Sequence, residues 1–188
     1  MILSHQSVKK WAKEYCTPYE EGNVNPASID LRLSNSIRVP KFDLLPWYKK
    51  LYERFFPSHV VTKKIDPDLI WSDNIVFGEY TLYPRRFVLC SSVEFTTIPN
   101  TMSGILMLKS SIGRMGLEHS HAGMGDPGFS GQWTFELFNP FPYPIKLVAG
   151  ETYTQLVLFW LDAETDLSYT VTGRYNNQVG ATPHRVSK

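Results

Sequence analysis

Gln132-Trp133-Thr134-Phe135-Glu136-Leu137-Phe138-Asn139 alternates apolar and other side chains with a period of two. That period belongs to a strand, with Trp133, Phe135 and Leu137 on one face and Thr134, Glu136 and Phe138 on the other. Glu136 is then a single carboxylate on a largely apolar strand. A carboxylate drawn out of water must be paired, hydrogen-bonded or protonated, and those conditions make a glutamate a general base or acid. The alternative is a strand glutamate at a solvated sheet edge.

Short apolar segments of the same kind recur at 86–90, 104–108, 145–148 and 155–161, punctuated by Pro99, Pro127-Gly128, Pro140, Pro142, Pro144 and Gly150. Upstream, Ile29, Leu31 and Leu33 alternate with Asp30 and Arg32, a half-buried strand entered through the turn at Pro26. At the start of the chain Ser4 can cap a helix in which Val8, Trp11, Ala12 and Tyr15 form one apolar stripe, ending near Cys16. Residues 41–73 break the strand pattern with aromatic and basic residues and predict a short helix between Pro46 and Pro57. Residues 1–188 are expected to form a single domain in which 41–73 is an insertion. Many short strands and few helices predict a mainly β fold, a distorted jelly roll or β-barrel with an N-terminal helix, and not a parallel α/β sheet.

A chain of 188 residues can bury the core of one domain. Nineteen basic residues against 18 acidic ones leave a net charge of +1, so nothing advertises a nucleic-acid or anionic-membrane partner, and any anionic ligand must be met locally. Met1-Ile2-Leu3-Ser4-His5-Gln6 lacks the apolar run of a signal peptide. No stretch approaches the roughly 20 apolar residues of a membrane span. The expectation is a soluble, cytoplasmic protein. Cys16 and Cys90 stand far apart, as reduced thiols, and cannot form a Cys-x-x-Cys zinc site.

Three further stretches carry candidate chemistry. Lys109-Ser110-Ser111-Ile112-Gly113-Arg114 offers a cation at each end, two hydroxyls and a glycine that lets backbone amides turn toward a ligand, a nest suited to phosphate oxygens. It is not a Walker loop, and a capped turn with solvated charges reads the same way. Asp126-Pro127-Gly128-Phe129-Ser130-Gly131 is a tight turn that brings a carboxylate to one end of the Glu136 strand, where it orients a sugar hydroxyl or a water, or else only starts the turn. Tyr169 to Gly180 has the makeup of a loop able to close over a ligand, or of a frayed terminus. A rival reading takes Gly113, His119, His121 and Asp126 as a cupin-like metal motif, although the only downstream histidine is His184.

In order and spacing, several of these pieces resemble the deoxycytidine triphosphate (dCTP) deaminase family, the deaminating branch of the trimeric dUTPase-like fold. They are Pro26 to Leu33, Lys109 to Gly116, Asp126 to Gly131, Thr134-Phe135-Glu136-Leu137 with Asn139, Pro144-Ile145-Lys146-Leu147, Gln155, and Gly173 to Gln178. The resemblance implies hydrolytic deamination of dCTP to dUTP and ammonia. Glu136 would activate the attacking water without zinc, and Arg114 and Ser111 would complete the catalytic group. The absence of a zinc-deaminase signature agrees with that. Lys109, Ser110, Ser111, Ile112, Gly113 and Arg114 match the family's nucleotide-binding turn, and Asp126 matches the carboxylate beside the deoxyribose. Thr134, Phe135 and Glu136 match the strand along which the base lies. Gln155, Tyr169, Arg174 and Gln178 match the groups that close on the triphosphate. Magnesium would arrive on that triphosphate, held by no protein side chain. A homotrimer with active sites shared between subunits is also implied.

A bifunctional enzyme that also releases pyrophosphate, or a dUTP pyrophosphatase, is the alternative. A nucleotide sensor without catalysis and the cupin-like metal protein stand further off. The chain departs from the family pattern at His121-Ala122-Gly123-Met124-Gly125-Asp126, where relatives carry a threonine and a branched residue. Gly125 in place of a branched side chain is expected to open space beside the base and to admit a cytosine substituted at C5. The family offers no role for residues 41–73.

Overall fold

In a computed structural model of the chain, residues 1–120 and 123–186 are described. Helix α1 (His5–Tyr15) follows Ser4, which occupies the N-cap position without a side-chain cap bond, and Val8, Trp11 and Ala12 turn into the core. Strands β1 (Cys16–Thr17) and β2 (Ile29–Arg38) come next, then the short helices α2 (Lys41–Leu44), α3 (Trp47–Phe55) and α4 (Pro67–Ile70). Strands β3 (Ile75–Val76), β4 (Glu79–Leu82), β5 (Phe87–Thr97) and β6 (Met102–Leu108) lead into a helical turn, α5 (Ser110–Gly113). The remainder is β7 (Glu118–His119), β8 (Met124–Gly125), β9 (Ser130–Phe138), β10 (Ile145–Val148), β11 (Thr152–Trp160) and α6 (Tyr169–Thr172).

The main sheet runs β7-β9-β5-β2-β11-β6-β8 with β1 added on β5 and β3 on β2, and a second ribbon pairs β10 with β4. All these pairings are antiparallel. Register shifts interrupt β5–β9 between Ser91 and Phe95, β2–β5 between Leu33 and Ile37, and β11–β2 between Thr152 and Thr154. An irregularity of this kind bends a strand and raises its twist, which is how a flat ladder closes on itself. The result is the expected mainly β fold, a curled antiparallel half-barrel with few helices. Its core holds Leu31, Leu33, Cys90, Phe135, Leu137, Leu156 and Leu158, each with no exposed surface.

The alternation of β9 comes out as read, since Gly131, Trp133, Phe135 and Leu137 are buried and the residues between them half-buried. For β2 it does not. Asp30 is 8% exposed, because Asn25 Nδ2 donates to its Oδ1 at 2.7 Å and the Lys109 ammonium binds its Oδ2. The polar side of β2 is thus covered by partners that no period-two pattern shows. Arg32, two residues on, gives its backbone N–H (2.8 Å) and its Nε (2.6 Å) to the two carboxylate oxygens of Glu94, with Glu20 on its Nη1. Glu94 is 2% exposed, and burial pushes its carboxyl up although the guanidinium works against that. Segment 41–73 does hold a helix between its two prolines, and α3 leaves Trp47, Leu51 and Phe55 largely exposed.

Among the described residues, the charged partner of the buried Glu94 is Arg32. Arg32→Ala is expected to cost about 3 kcal/mol in chemical denaturation at neutral pH, because the carboxylate is left unpaired. A buried carboxyl whose pKa is raised favours the folded state below its ordinary titration range and loses that advantage as pH rises through the raised value. The deficit of the variant should therefore shrink as pH is lowered.

Candidate active site

Glu136 faces a cavity of about 450 Å3 between β9 and the C-terminal tail. The ladder with β5 sets Leu89 opposite Glu136, Phe87 opposite Phe138 and Ser91 opposite Thr134, and both Leu89 and Phe87 line the same cavity. The carboxylate thus looks across at hydrocarbon. Burial pushes its pKa up, and a hydrogen bond from Ser120 draws it partly back. Ser120 is held in reach because its N–H donates to the Glu136 carbonyl at 3.0 Å.

The turn at Asp126 closes with Phe129 N–H donating to the Asp126 carbonyl at 3.0 Å. Gly128 sits in the left-handed region at φ +87, and a Cβ there would lie 2.1 Å from Ser168 Oγ. Only glycine allows both the bend and the contact. The turn therefore butts against the start of α6, where Tyr169 N–H donates to the Pro127 carbonyl at 2.8 Å and the Tyr169 ring meets Phe129 at 5.9 Å. Asp126 and Tyr169 join Glu136 and Thr134 around the cavity by this packing.

The tail beyond α6 is docked. Gln178 forms a parallel bridge with Gly131, accepts from Gln132 N–H at 2.9 Å and returns its own Nε2 to the Gln132 carbonyl at 2.7 Å. Gly180 N–H donates to Gln132 Oε1 at 2.6 Å and Thr182 N–H reaches Thr134 Oγ1 at 3.4 Å. Gln178 is 7% exposed and lines the cavity, whereas Arg174 is exposed and does not line it.

The phosphate-type turn lies elsewhere. None of residues 109–114 lines the cavity, nor does Gln155. Lys109 was expected to offer its ammonium to a ligand; instead it is ion-paired with Asp30 and donates to Thr152 Oγ1 at 2.8 Å. Gln155, opposite Asp30 on the β11–β2 ladder, takes a bond from Ser28 Oγ at 3.4 Å. Ser110, Ser111, Gly113 and Arg114 are exposed and Ile112 half-buried. Gly113 is not the residue that turns the backbone: it is helical, and a Cβ there would find only Leu108 at 3.7 Å. Gly116, at φ +89 and crowded by Phe141, takes that role. Phe135 has no exposed surface, so its side chain serves the core and not a ligand.

Two expectations about the base-side loop change. His121, on which the cupin-like motif and the altered hydrogen bonding rested, lies outside the described residues. Among the described residues, no group of three or more His, Cys, Asp or Glu could hold a metal ion, and the ring of His119 packs edge-on against Phe135 at 6.2 Å. Gly125 opens no space: a Cβ there would stand 2.5 Å from Trp133 Cη2 and 2.5 Å from Ile98 Cδ1. The indole fills the room that a branched residue would take. Trp133 is fixed by Nε1 donating to Thr96 Oγ1 at 2.9 Å and by Phe129 at 4.8 Å. Sequence reading also missed Trp71, Phe87, Leu89, Phe129, Trp133, Tyr175, Thr182 and His184 as cavity residues. The pairing register of β5 would have revealed Phe87 and Leu89, but a register cannot be read from one strand.

Set against solved structures, this architecture matches the 2'-deoxycytidine 5'-triphosphate deaminase of Agrobacterium tumefaciens with a TM-score of 0.61 at 18% identity, over 84% of this chain and 47% of that one. That likeness shows the class of fold alone, a mainly β, curled antiparallel half-barrel. The sequence goes further: residues 2–161 match the family model described as dCTP deaminase-like, and the chain belongs to that family. It is 40% identical over 178 residues to a protein of Parafrankia sp. (strain EAN1pec) named "dCTP deaminase, dUMP-forming", covering 89% of this chain and 80% of that relative. A protein of Thermobifida fusca with the same name is 40% identical over 174 residues, covering 89% and 82%.

The fit of Trp133 against Gly125 can be tested directly. Gly125→Ala should destabilise the fold by about 1–3 kcal/mol in thermal or chemical unfolding, as overpacking does. Combined with Trp133→Leu the loss should be less than the sum of the two single losses, because the two side chains compete for one volume.

Proposed function

We propose that the chain hydrolyses the exocyclic amine of dCTP and that its nucleotide product is dUMP, with ammonia and pyrophosphate released. The observation that carries the deaminase reading is Glu136, a half-buried carboxylate facing hydrocarbon in a cavity of nucleotide-scale volume, in a chain of the dCTP deaminase-like family. The product replaces the dUTP expected from the resemblance, since the relatives at 40% identity are named dUMP-forming. The bifunctional alternative thereby becomes the leading one. A pyrophosphatase acting on dUTP alone would leave the water-poor setting of Glu136 without a task.

In this reading Glu136 is the general base. Burial destabilises its anion, so the carboxylate takes a proton from water more readily, and the hydroxide equivalent attacks C4 of cytosine. One proton of that water passes through Glu136 to N3, and the second passes from the C4 hydroxyl to the amine, which leaves as ammonia as the C4 carbonyl forms. Thr134 and the backbone of β9 flank the base, Asp126 faces the sugar, and Tyr169 and Gln178 approach the phosphates. Magnesium would accompany the triphosphate and offset its charge. The exposed carboxylate of Asp126 is a hard oxygen donor compatible with the water shell of that ion.

The separation of residues 109–114 from the cavity supports a homotrimer in which one chain's Ser111 and Arg114 complete the site of its neighbour. Residues 1–188 are read as one domain with an insertion at 41–73, consistent with the single hydrophobic cluster running from α1 to β11. Two buried free thiols, and the absence among described residues of a helix long and apolar enough to cross a membrane, support a cytoplasmic setting.

The experiment is to incubate the protein with dCTP and magnesium, separate the nucleotides and assay ammonia and pyrophosphate together. Ammonia with dUMP is expected, whereas ammonia with dUTP alone would reduce the activity to simple deamination. Glu136→Gln should lower ammonia release by on the order of 10² to 10⁴-fold while nucleotide binding, followed by calorimetry, persists. In the parent protein kcat/KM should fall on the acid side at a pH above the ordinary glutamate range, because the base must be ionised to act.

A further inference from the structure

Segment 41–73 has an outer part and an anchored return. The outer helix α3 buries no residue. The return is tied down on both sides of Trp71: its N–H donates to the Pro67 carbonyl at 2.9 Å, and it bridges Pro40 antiparallel at the end of β2. Ser72, 5% exposed, donates its N–H to the Val39 carbonyl at 2.9 Å and accepts Val39 N–H on Oγ at 3.1 Å. Arg38 Nη1 holds the Ser72 carbonyl at 3.2 Å. From this fixed position the indole of Trp71 packs on Phe87 at 5.9 Å and enters the lining of the Glu136 cavity. The tail meets the same segment from the other side, His184 Nε2 lying 3.1 Å from the Ile65 carbonyl, and His184 lines the cavity too.

We propose that Trp71 is a positioning residue of the reaction: the return of segment 41–73 walls off the Glu136 carboxylate from water and narrows the cavity on that side. The proposal rests on the deaminase reading for its consequence but not for its geometry. Leu89 and Phe87 supply hydrocarbon from β5, but both belong to the sheet and cannot roof the carboxylate they stand beside. Trp71 is the residue that segment 41–73 brings to the cavity lining, and the anchoring of its neighbourhood to Arg38, Val39 and Pro40 keeps it there. Among the described residues, the other ionisable groups lining the cavity are Asp126 from the turn, Tyr169 from α6, and Tyr175 and His184 from the tail. On β7, Glu118 is exposed and His119 turns its ring to Phe135 on the opposite face of β9.

The test reads Glu136 without requiring turnover. Carboxyl titration by 13C NMR, with Glu136→Gln identifying the signal, is compared in the parent, Trp71→Ala, Trp71→Phe and Trp47→Ala, the last altering the exposed outer helix. The Glu136 midpoint should fall toward that of an exposed glutamate in Trp71→Ala, stay near the parental value in Trp71→Phe and be unmoved in Trp47→Ala. The acid limb of kcat/KM for dCTP should move to lower pH with it. Should Trp71→Ala fail to fold, Trp71→Leu gives the same reading with a smaller fall. An unmoved midpoint in either folded variant would overturn the proposal. If the parent releases no ammonia from dCTP, the deaminase reading fails on that result alone, and the titration still decides whether Trp71 shields the carboxylate.

Discussion

Keeping one carboxylate poorly hydrated, with no cation paired to it among the described residues, is the constraint on which the rest of the molecule turns. Glu136 has a hydrogen bond from Ser120 and otherwise faces Leu89, Phe87 and the cavity. Such a group is costly to the fold, and the chain tolerates it because β9 is pinned on every side. β5 holds one edge of β9, β7 holds the other, and the tail crosses it at Gly131. The buried residues of β9 do the packing so that the alternate ones can face the ligand. This division is what period two provides.

The handling of Glu94 is instructive by contrast. It is more deeply buried than Glu136, yet Arg32 reaches it through both backbone and side chain, with Glu20 behind. That carboxylate is part of the frame. Lys109 and Asp30 form a similar pair at the base of the turn that carries Ser110 to Arg114. Charges that build the barrel are thus paired within the chain, while those at hand for a ligand, Asp126 and Arg114, are exposed and Glu136 stands in the cavity. The pairing of Lys109 leaves Arg114 as the cation of the turn that can reach outward, as the proposed assembly of a site from two chains requires.

Much of the fold was legible because it follows local rules. The helix stripe of Val8, Trp11 and Ala12, the alternation of β9 and the Pro127-Gly128 turn each need only neighbouring residues to be understood. What was not legible depends on residues distant in sequence. Asp30 reads as a solvent-facing strand residue until Lys109 is found 79 positions away. Gly125 reads as a gap until Trp133 is seen to occupy it. Trp71 looked like part of a featureless insertion, since only the bridge to Pro40 and the ring contact with Phe87 bring it to the cavity. The apolar walls that set the chemistry of Glu136 carry no functional group to mark them, and Tyr175, Thr182 and His184 reach the cavity only because the tail docks along β9.

Mixed assemblies test the proposed site that combines Glu136 of one chain with Arg114 of another. Chains carrying Glu136→Gln and chains carrying Arg114→Ala are co-expressed with different tags, isolated as mixed oligomers and assayed for ammonia from dCTP. Each variant alone should be silent, and the isolated mixed trimers should regain about a third of the parental rate, since one of the three shared sites in each keeps both contributions. Mixed oligomers as silent as the single variants, beside an active parent, would place both residues in the site of one chain and contradict the account.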